Sequence, residues 1–361
     1  MTHAHRTPIA RALAAAALAA ALALAGSGPA RADDLKDARQ ALAAGQLDQA
    51  QQLFEKAASQ GYAEGRAGVG QVLLKRHQYD KAREQFELAQ KMDNGLAMAW
   101  YGLGEVALQQ DDEQAALPNL QKAVELDHKF PEAQLALGNC LMQLKQLDNA
   151  VKALAPGLNW GSKWRPRFLI ALGDVEVARD SLRDAGIYYT QAQQESPDDP
   201  ETNRALGDFY LDRGTYELAI PYFEKAVGLD STDVEMRYGY GRALAFTEHY
   251  AEAIDQYTWV TNRDPDYAPA QYALGDLYYR AGQADPKRYG DALPFLQKYT
   301  QLKPKDPRGW SLLGRDEYFL KQKDAAVPAL EKAIALGDKS KEMYNVLGRT
   351  YVDSRDWQKA L

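Results

Sequence analysis

The chain has 361 residues, of which 46% are hydrophobic and 26% charged, a balance that suits a continuous core with a wet surface and excludes a disordered polypeptide. Its formal net charge is −7, and removal of residues 1–32 (below) takes away Arg6, Arg11 and Arg31 but no acid, which argues against nucleic acid as a partner. Cys140 is the only cysteine, so no internal disulfide can form and stability must come from packing.

The first element in chain order is a leader. Arg6 and Arg11 flank the start of an Ala- and Leu-rich run from Ala12 to Ala25, followed by Gly26, Ser27, Gly28 and Pro29. Ala30-Arg31-Ala32 then offers the small residues a signal peptidase needs. Residues 1–32 are therefore expected to be a cleaved secretory signal, because the run is too short and too weakly apolar to remain as a membrane span. Leu24-Ala25-Gly26-Ser27 resembles a bacterial lipoprotein signal with serine where the lipidated cysteine must stand, so no lipid anchor is expected. Residues 33–361 should be periplasmic or secreted, with no membrane insertion.

From there a Leu-Gly doublet recurs almost every 34 residues. It reads Leu103-Gly104, Leu137-Gly138, Leu172-Gly173, Leu206-Gly207, Leu274-Gly275, Leu313-Gly314 and Leu347-Gly348, with weaker forms at Val69-Gly70 and Tyr240-Gly241. About 12 residues after each doublet comes an alanine followed four on by a large residue, as in Ala82-Phe86, Ala116-Leu120, Ala219-Phe223 and Ala326-Leu330. The pattern predicts two antiparallel helices per copy, glycine and alanine permitting close approach and the large residue filling the gap. Turns such as Arg213-Gly214-Thr215 separate the helices. Pro118, Pro221, Pro294 and Pro328 are expected near the start of second helices, where proline costs least.

Trp100-x2-Leu103-Gly104, Trp310-x2-Leu313-Gly314 and Leu206-Gly207-x2-Tyr210, each followed by the alanine signature, resemble the tetratricopeptide repeat. The resemblance covers about ten copies and implies an all-α, right-handed superhelical solenoid over residues 33–361. Two departures stand out. The copy starting at Gly275 has five extra residues, expected in a turn around Ala284 to Tyr289; Pro156-Gly157 breaks the second helix of the fourth copy. The last copy is incomplete, Leu361 following directly on its key alanine, Ala360, and the expectation is a chain that continues.

The resemblance also implies a concave groove, lined by first helices, that binds a peptide or protein segment. Three offsets from the doublet share a helix face. They place Tyr101, Glu105, Asp174, Arg204, Asp208, Tyr238, Arg242, Tyr272, Asp276, Tyr279, Arg315, Tyr318 and Arg349 in that groove, with charge passing from acidic to basic along the chain. The lysine, asparagine and arginine set with which some members clamp a C-terminal carboxylate is not matched. A second candidate is the patch of Trp160, Trp164, Arg165 and Arg167, whose tryptophans could instead plug the broken joint.

No catalytic residue, metal site or cofactor is expected. His77, His128 and His249 fall in separate copies, Cys140 reads as a buried thiol, and no phosphate loop or nucleophile elbow is present. The reading is a non-enzymatic exported scaffold. The alternatives are the repeat arm of a larger secretion or exopolysaccharide-export machine, or the recruiting region of an enzyme encoded downstream.

Overall fold

The computed structural model describes residues 30–355 together with Gln358. Residues 1–29, with most of the leader, lie outside them, as do Ala360 and Leu361 of the last copy. The chain divides into two units, one ending at Tyr188 and the other starting at Tyr189. Among the described residues the regular structure is helical throughout.

The first unit holds α1 (Ala30–Ala43), α2 (Leu47–Ser59), α3 (Ala63–Lys75), α4 (Tyr79–Met92), α5 (Ala97–Leu108), α6 (Glu113–Leu126), α7 (Pro131–Gln143), α8 (Leu147–Leu154) and α9 (Arg165–Ala178). The division falls inside α10 (Leu182–Glu195). The second unit continues with α11 (Pro200–Asp212), α12 (Tyr216–Leu229), α13 (Val234–Phe246), α14 (Tyr250–Arg263), α15 (Ala268–Ala284), α16 (Leu293–Leu302), α17 (Pro307–Phe319), α18 (Lys323–Ala335) and α19 (Lys341–Asp353). Odd-numbered helices from α3 on carry the doublet and even-numbered ones the alanine signature.

Glycine and the large residue meet as the spacing requires. A Cβ at Gly138 would stand 2.4 Å from the Leu154 side chain, and one at Gly275 2.4 Å from Leu296. Phe86 is fully buried between Gly70 and Gly102, and Phe223 between Gly207 and Gly239. The core of each unit thus repeats one plug, a large side chain seated on a first-helix glycine, with a second glycine on the far side for Phe86 and Phe223.

Most hairpins turn through one left-handed residue at the same register: His77, Asp111, Lys145, Asp180, Gly214, Glu248, Lys321 and Arg355, with φ between 55° and 71°. The next amide returns to the helix, as from Gln78 to Leu73 O at 2.9 Å and from Asp112 to Ala107 O at 3.0 Å.

Two expectations about local structure need correction. Pro118, Pro221 and Pro328 are the sixth residues of α6, α12 and α18, inside the helices, because each second helix starts three residues before its key alanine. Only Pro294, in the first turn of α16, escapes loss of a helix bond. The five extra residues do not all lie in a turn, since α15 runs on to 17 residues, Pro286–Arg288 form a 3-10 turn, and α16 starts just after the key Ala292.

The break in the fourth copy falls where proline and glycine put it. The second helix stops at Leu154 and a 3-10 segment, Ala155–Asn159, follows. Gly157 makes room for Phe168, whose ring a Cβ there would overlap at 2.0 Å.

Candidate partner-binding face

Consecutive first helices touch one another, α3 with α5, α7 with α9, α11 with α13 and α15 with α17. This direct contact leaves a strip along the first helices in each unit, on which the three offsets lie.

In the first unit Tyr101 is half-buried and meets Phe130 edge-on, ring centroids 4.9 Å apart. Burial raises the Tyr101 hydroxyl, with Glu105 and Glu132 adding to it, and burial also raises the Glu105 carboxyl. Asp174, on α9, is half-buried as well. Trp160 and Trp164 pack against this unit's core. Trp160 stands 5.7 Å from Phe168, and Lys163 and Arg167 cover the Trp164 ring at 5.5 and 5.3 Å. The two rings fill the broken joint, while Lys163 and Arg167 beside Trp164 are exposed and Arg165 is half-buried.

The second unit gathers the rest. Tyr238 on α13 packs edge-on against Tyr267 at 5.3 Å and tilted against Tyr257 at 5.6 Å, and the Tyr267 hydroxyl donates to Glu235 Oε2 at 2.7 Å. One copy along, Tyr272 meets Tyr299 at 5.1 Å and lies under Arg308, whose guanidinium carbon is 5.4 Å from the ring centre. Arg308 and the Tyr299 hydroxyl both bind Asp306, at 2.6 Å each. The Asp306 carboxyl is held far below the usual range, chiefly by Arg308, and the Tyr299 hydroxyl is pushed up to about 12, first by burial and then by Asp306.

The charges of the strip are mostly spent within it. Arg204 approaches Asp208 at 4.0 Å, Arg242 approaches Asp212 at 3.9 Å, Asp276 binds Arg280 at 2.8 Å and Arg315 binds Glu342 at 2.6 Å. Such exposed pairs contribute little to stability, but they reduce the acidic-to-basic contrast a partner would meet. Arg349 is exposed and lines a depression of about 600 Å³ with Tyr318, Tyr344 and Asn345.

Tyr279 departs from its expected place. It is buried at 3% exposure beneath Arg315, 4.9 Å from the ring centre, and beside Tyr289 and Phe319. The lengthened segment before α16 folds Tyr289 over it, so Tyr279 belongs to the interior. Conversely, Phe130, Tyr267 and Arg308 were not singled out from the sequence. Phe130 and Tyr267 each follow their groove tyrosine by 29 residues, and that second aromatic interval is the signal that would have found them.

Cys140 is fully buried, donates to Glu113 O at 3.4 Å and has its thiol raised to about 11, first by burial. Among the described residues no group of three His, Cys, Asp or Glu could hold a metal ion, and no helix is long and apolar enough to cross a membrane.

Comparison with known proteins matches this framework to two tetratricopeptide repeat models, one over residues 107–174 and the other over residues 69–127, 169–234 and 238–307. The chain belongs to the tetratricopeptide repeat family. Curated relatives include the BBSome complex member BBS4 of Bos taurus, 25% identical over 62% of this chain and 42% of the relative. Another is anaphase-promoting complex subunit 6 of Arabidopsis thaliana, 30% identical over 36% of this chain and 23% of the relative. The chain spans less than half the length of these relatives. Among solved structures, MamA aligns at 26% identity over 48% of this chain and 92% of its own, with a TM-score of 0.44. As a family, these repeats are protein-protein interaction scaffolds, and the chain is a scaffold of this kind.

Proposed function

We propose that this protein is an exported, non-enzymatic scaffold that holds a peptide or protein segment against the first helices of residues 189–361. The observation that carries this reading is the run of half-buried rings and paired charges at Tyr238, Arg242, Tyr272 and Asp276 on adjacent copies. Half-buried tyrosine offers a large, stiff contact at low entropic cost, and arginine beside it supplies directional bonds, the mixture that dominates protein interfaces. The relatives named as complex members support the scaffold reading. Export is supported by the leader of residues 1–32 and predicts a mature chain whose first residue is Asp33, checked by N-terminal sequencing of the secreted or periplasmic protein.

The test of the face is Tyr238→Ala combined with Tyr272→Ala. Partners co-purified with the full chain from its host should be lost, or bind at least tenfold more weakly, while helicity by circular dichroism is retained. Undiminished capture of the same partners would remove this face from consideration.

A further inference from the structure

Beyond the strip of first helices, the edge of the second unit carries a repeated aromatic stack that is missing once. Tyr216, Tyr250 and Tyr289 each stand three residues before a key alanine. Each faces the residue five after the doublet glycine of the following copy, namely Phe246, Arg280 and Phe319. Tyr216 and Phe246 stack with ring centroids 4.3 Å apart and planes 9° apart; Tyr289 and Phe319 stack at 4.7 Å and 8°. Between them Tyr250 has Arg280 for its counterpart and remains 41% exposed.

The missing ring leaves space. A cavity of about 710 Å³ opens beside Tyr250, floored by Ile254, Leu277 and Tyr278. Its far wall is the additional turn of α15, where Ala281 and Ala284 are too small to fill it. Tyr278 is immobilised from behind by a parallel stack on Phe295 at 5.5 Å, so the floor is stiff. On the rim Arg280 pairs with Asp276 at 2.8 Å, Arg288 pairs with Asp291 at 3.3 Å and lies 6.0 Å from the centre of the Tyr278 ring, and Asp285 accepts from the Lys287 amide at 3.2 Å. Asp255, also on the rim, is exposed and has no ion pair among the described residues.

We propose that this cavity takes an aromatic side chain from a partner protein, stacked on Tyr250 as Phe246 is on Tyr216, with an adjacent basic residue paired to Asp255. The chain itself supplies the precedent for the ligand, since the same seat is filled by phenylalanine on both sides. An apolar floor under a charged rim, here Asp255, Arg280, Asp285 and Arg288, suits an aromatic side chain flanked by charged residues. The proposal rests on the scaffold reading only in taking a protein segment as ligand; it is independent of the Tyr238 and Tyr272 face.

The experiment follows the methyl resonances of Ile254 and Leu277 in the full chain. It uses three capped tripeptides as probes: acetyl-Arg-Phe-Arg-amide, acetyl-Arg-Ala-Arg-amide and acetyl-Glu-Phe-Glu-amide. The first should give saturable shifts in the millimolar range or tighter, the second none, and the third at least tenfold weaker binding. Arg280→Phe, which supplies the missing ring, should abolish the shifts. Asp255→Asn, an exposed change that leaves packing alone, should weaken the first peptide several-fold. The double Ala variant of Tyr238 and Tyr272 should leave all of this unchanged, so the two sites can fail separately. Equal shifts from the alanine peptide, undiminished binding by the Arg280→Phe chain, or no shift with any peptide would each overturn the assignment.

Discussion

Asp316 and Glu317 sit side by side on α17. Val106, Cys140, Val175, Ala243 and Leu277 hold the Asp316 position in other copies; Leu141, Leu244 and Tyr278 hold the Glu317 position, which α9 also fills with an acid, the buried Glu176. Asp316 is fully buried with no hydrogen bond to either carboxylate oxygen, and Glu317 is 6% exposed with one oxygen unpartnered. Burial pushes Asp316 up to about 6, the nearby Gly290 amide offsetting only part of that; burial and then Asp316 push Glu317 up to about 7. Both folded-state values are raised, so between about pH 4 and 7 the native chain binds more protons than the unfolded one and loses stability as pH rises. Asp316→Leu should therefore raise stability by about 2 kcal/mol at pH 8 and flatten the decline of melting temperature between pH 5 and 8. Glycines divide by a similar test of surroundings. A Cβ at Gly102 would meet the Phe86 ring at 2.2 Å, and Gly70 on its other side leaves that ring nowhere to go. Gly102→Ala should cost about 2 kcal/mol or more in denaturant unfolding, whereas Gly228→Ala, exposed in α12 with nothing within 4 Å, should gain about 0.5–1 kcal/mol.

Six of the nine first helices are tied to the junction before them by one side chain four residues ahead of the doublet glycine. Trp100 Nε1 donates to Asn94 O at 2.9 Å, Trp310 Nε1 to Pro304 O at 3.0 Å, Gln134 to His128 O at 3.2 Å, Asn203 to Pro197 O at 2.8 Å, Gln271 to Pro265 O at 2.9 Å and Arg237 Nε to Ser231 O at 3.2 Å. Four chemically different residues do one task, which is why the sequence showed only the two tryptophans as a motif. What these copies share is a donor at a given reach, which a pattern keyed to one residue type does not show. Asn203, fully buried, is the sharpest test. Asn203→Leu leaves the Pro197 carbonyl without this donor and should cost about 1–3 kcal/mol, while Asn203→Gln should recover part of the loss.

Across the molecule, the period was legible because one packing problem is solved the same way in every copy. The helices, the plug residues and the offsets of the binding strip followed from it. Illegible were the places where another segment folds across the pattern. Tyr279 has the groove offset, but Tyr289 and Arg315 close over it; Tyr267 lies in the junction before α15 and Arg308 in the first turn of α17, outside the three counted offsets. The aromatic seat at Tyr250 was hidden for the opposite reason, being defined by a ring that this copy lacks.

The left-handed turn residues have a consequence for how such a chain changes length. Asp111 and Lys145 hold the same backbone conformation at equivalent points, with φ of 55° and 61°. A splice that removes residues 112–145 would join Asp111 to Gln146 across a turn the backbone already makes, so an unequal crossover in the gene costs one copy and no geometry. A chain lacking residues 112–145 should still unfold cooperatively, at a lower midpoint; a molten or aggregated product would show that the copies are not interchangeable at that seam.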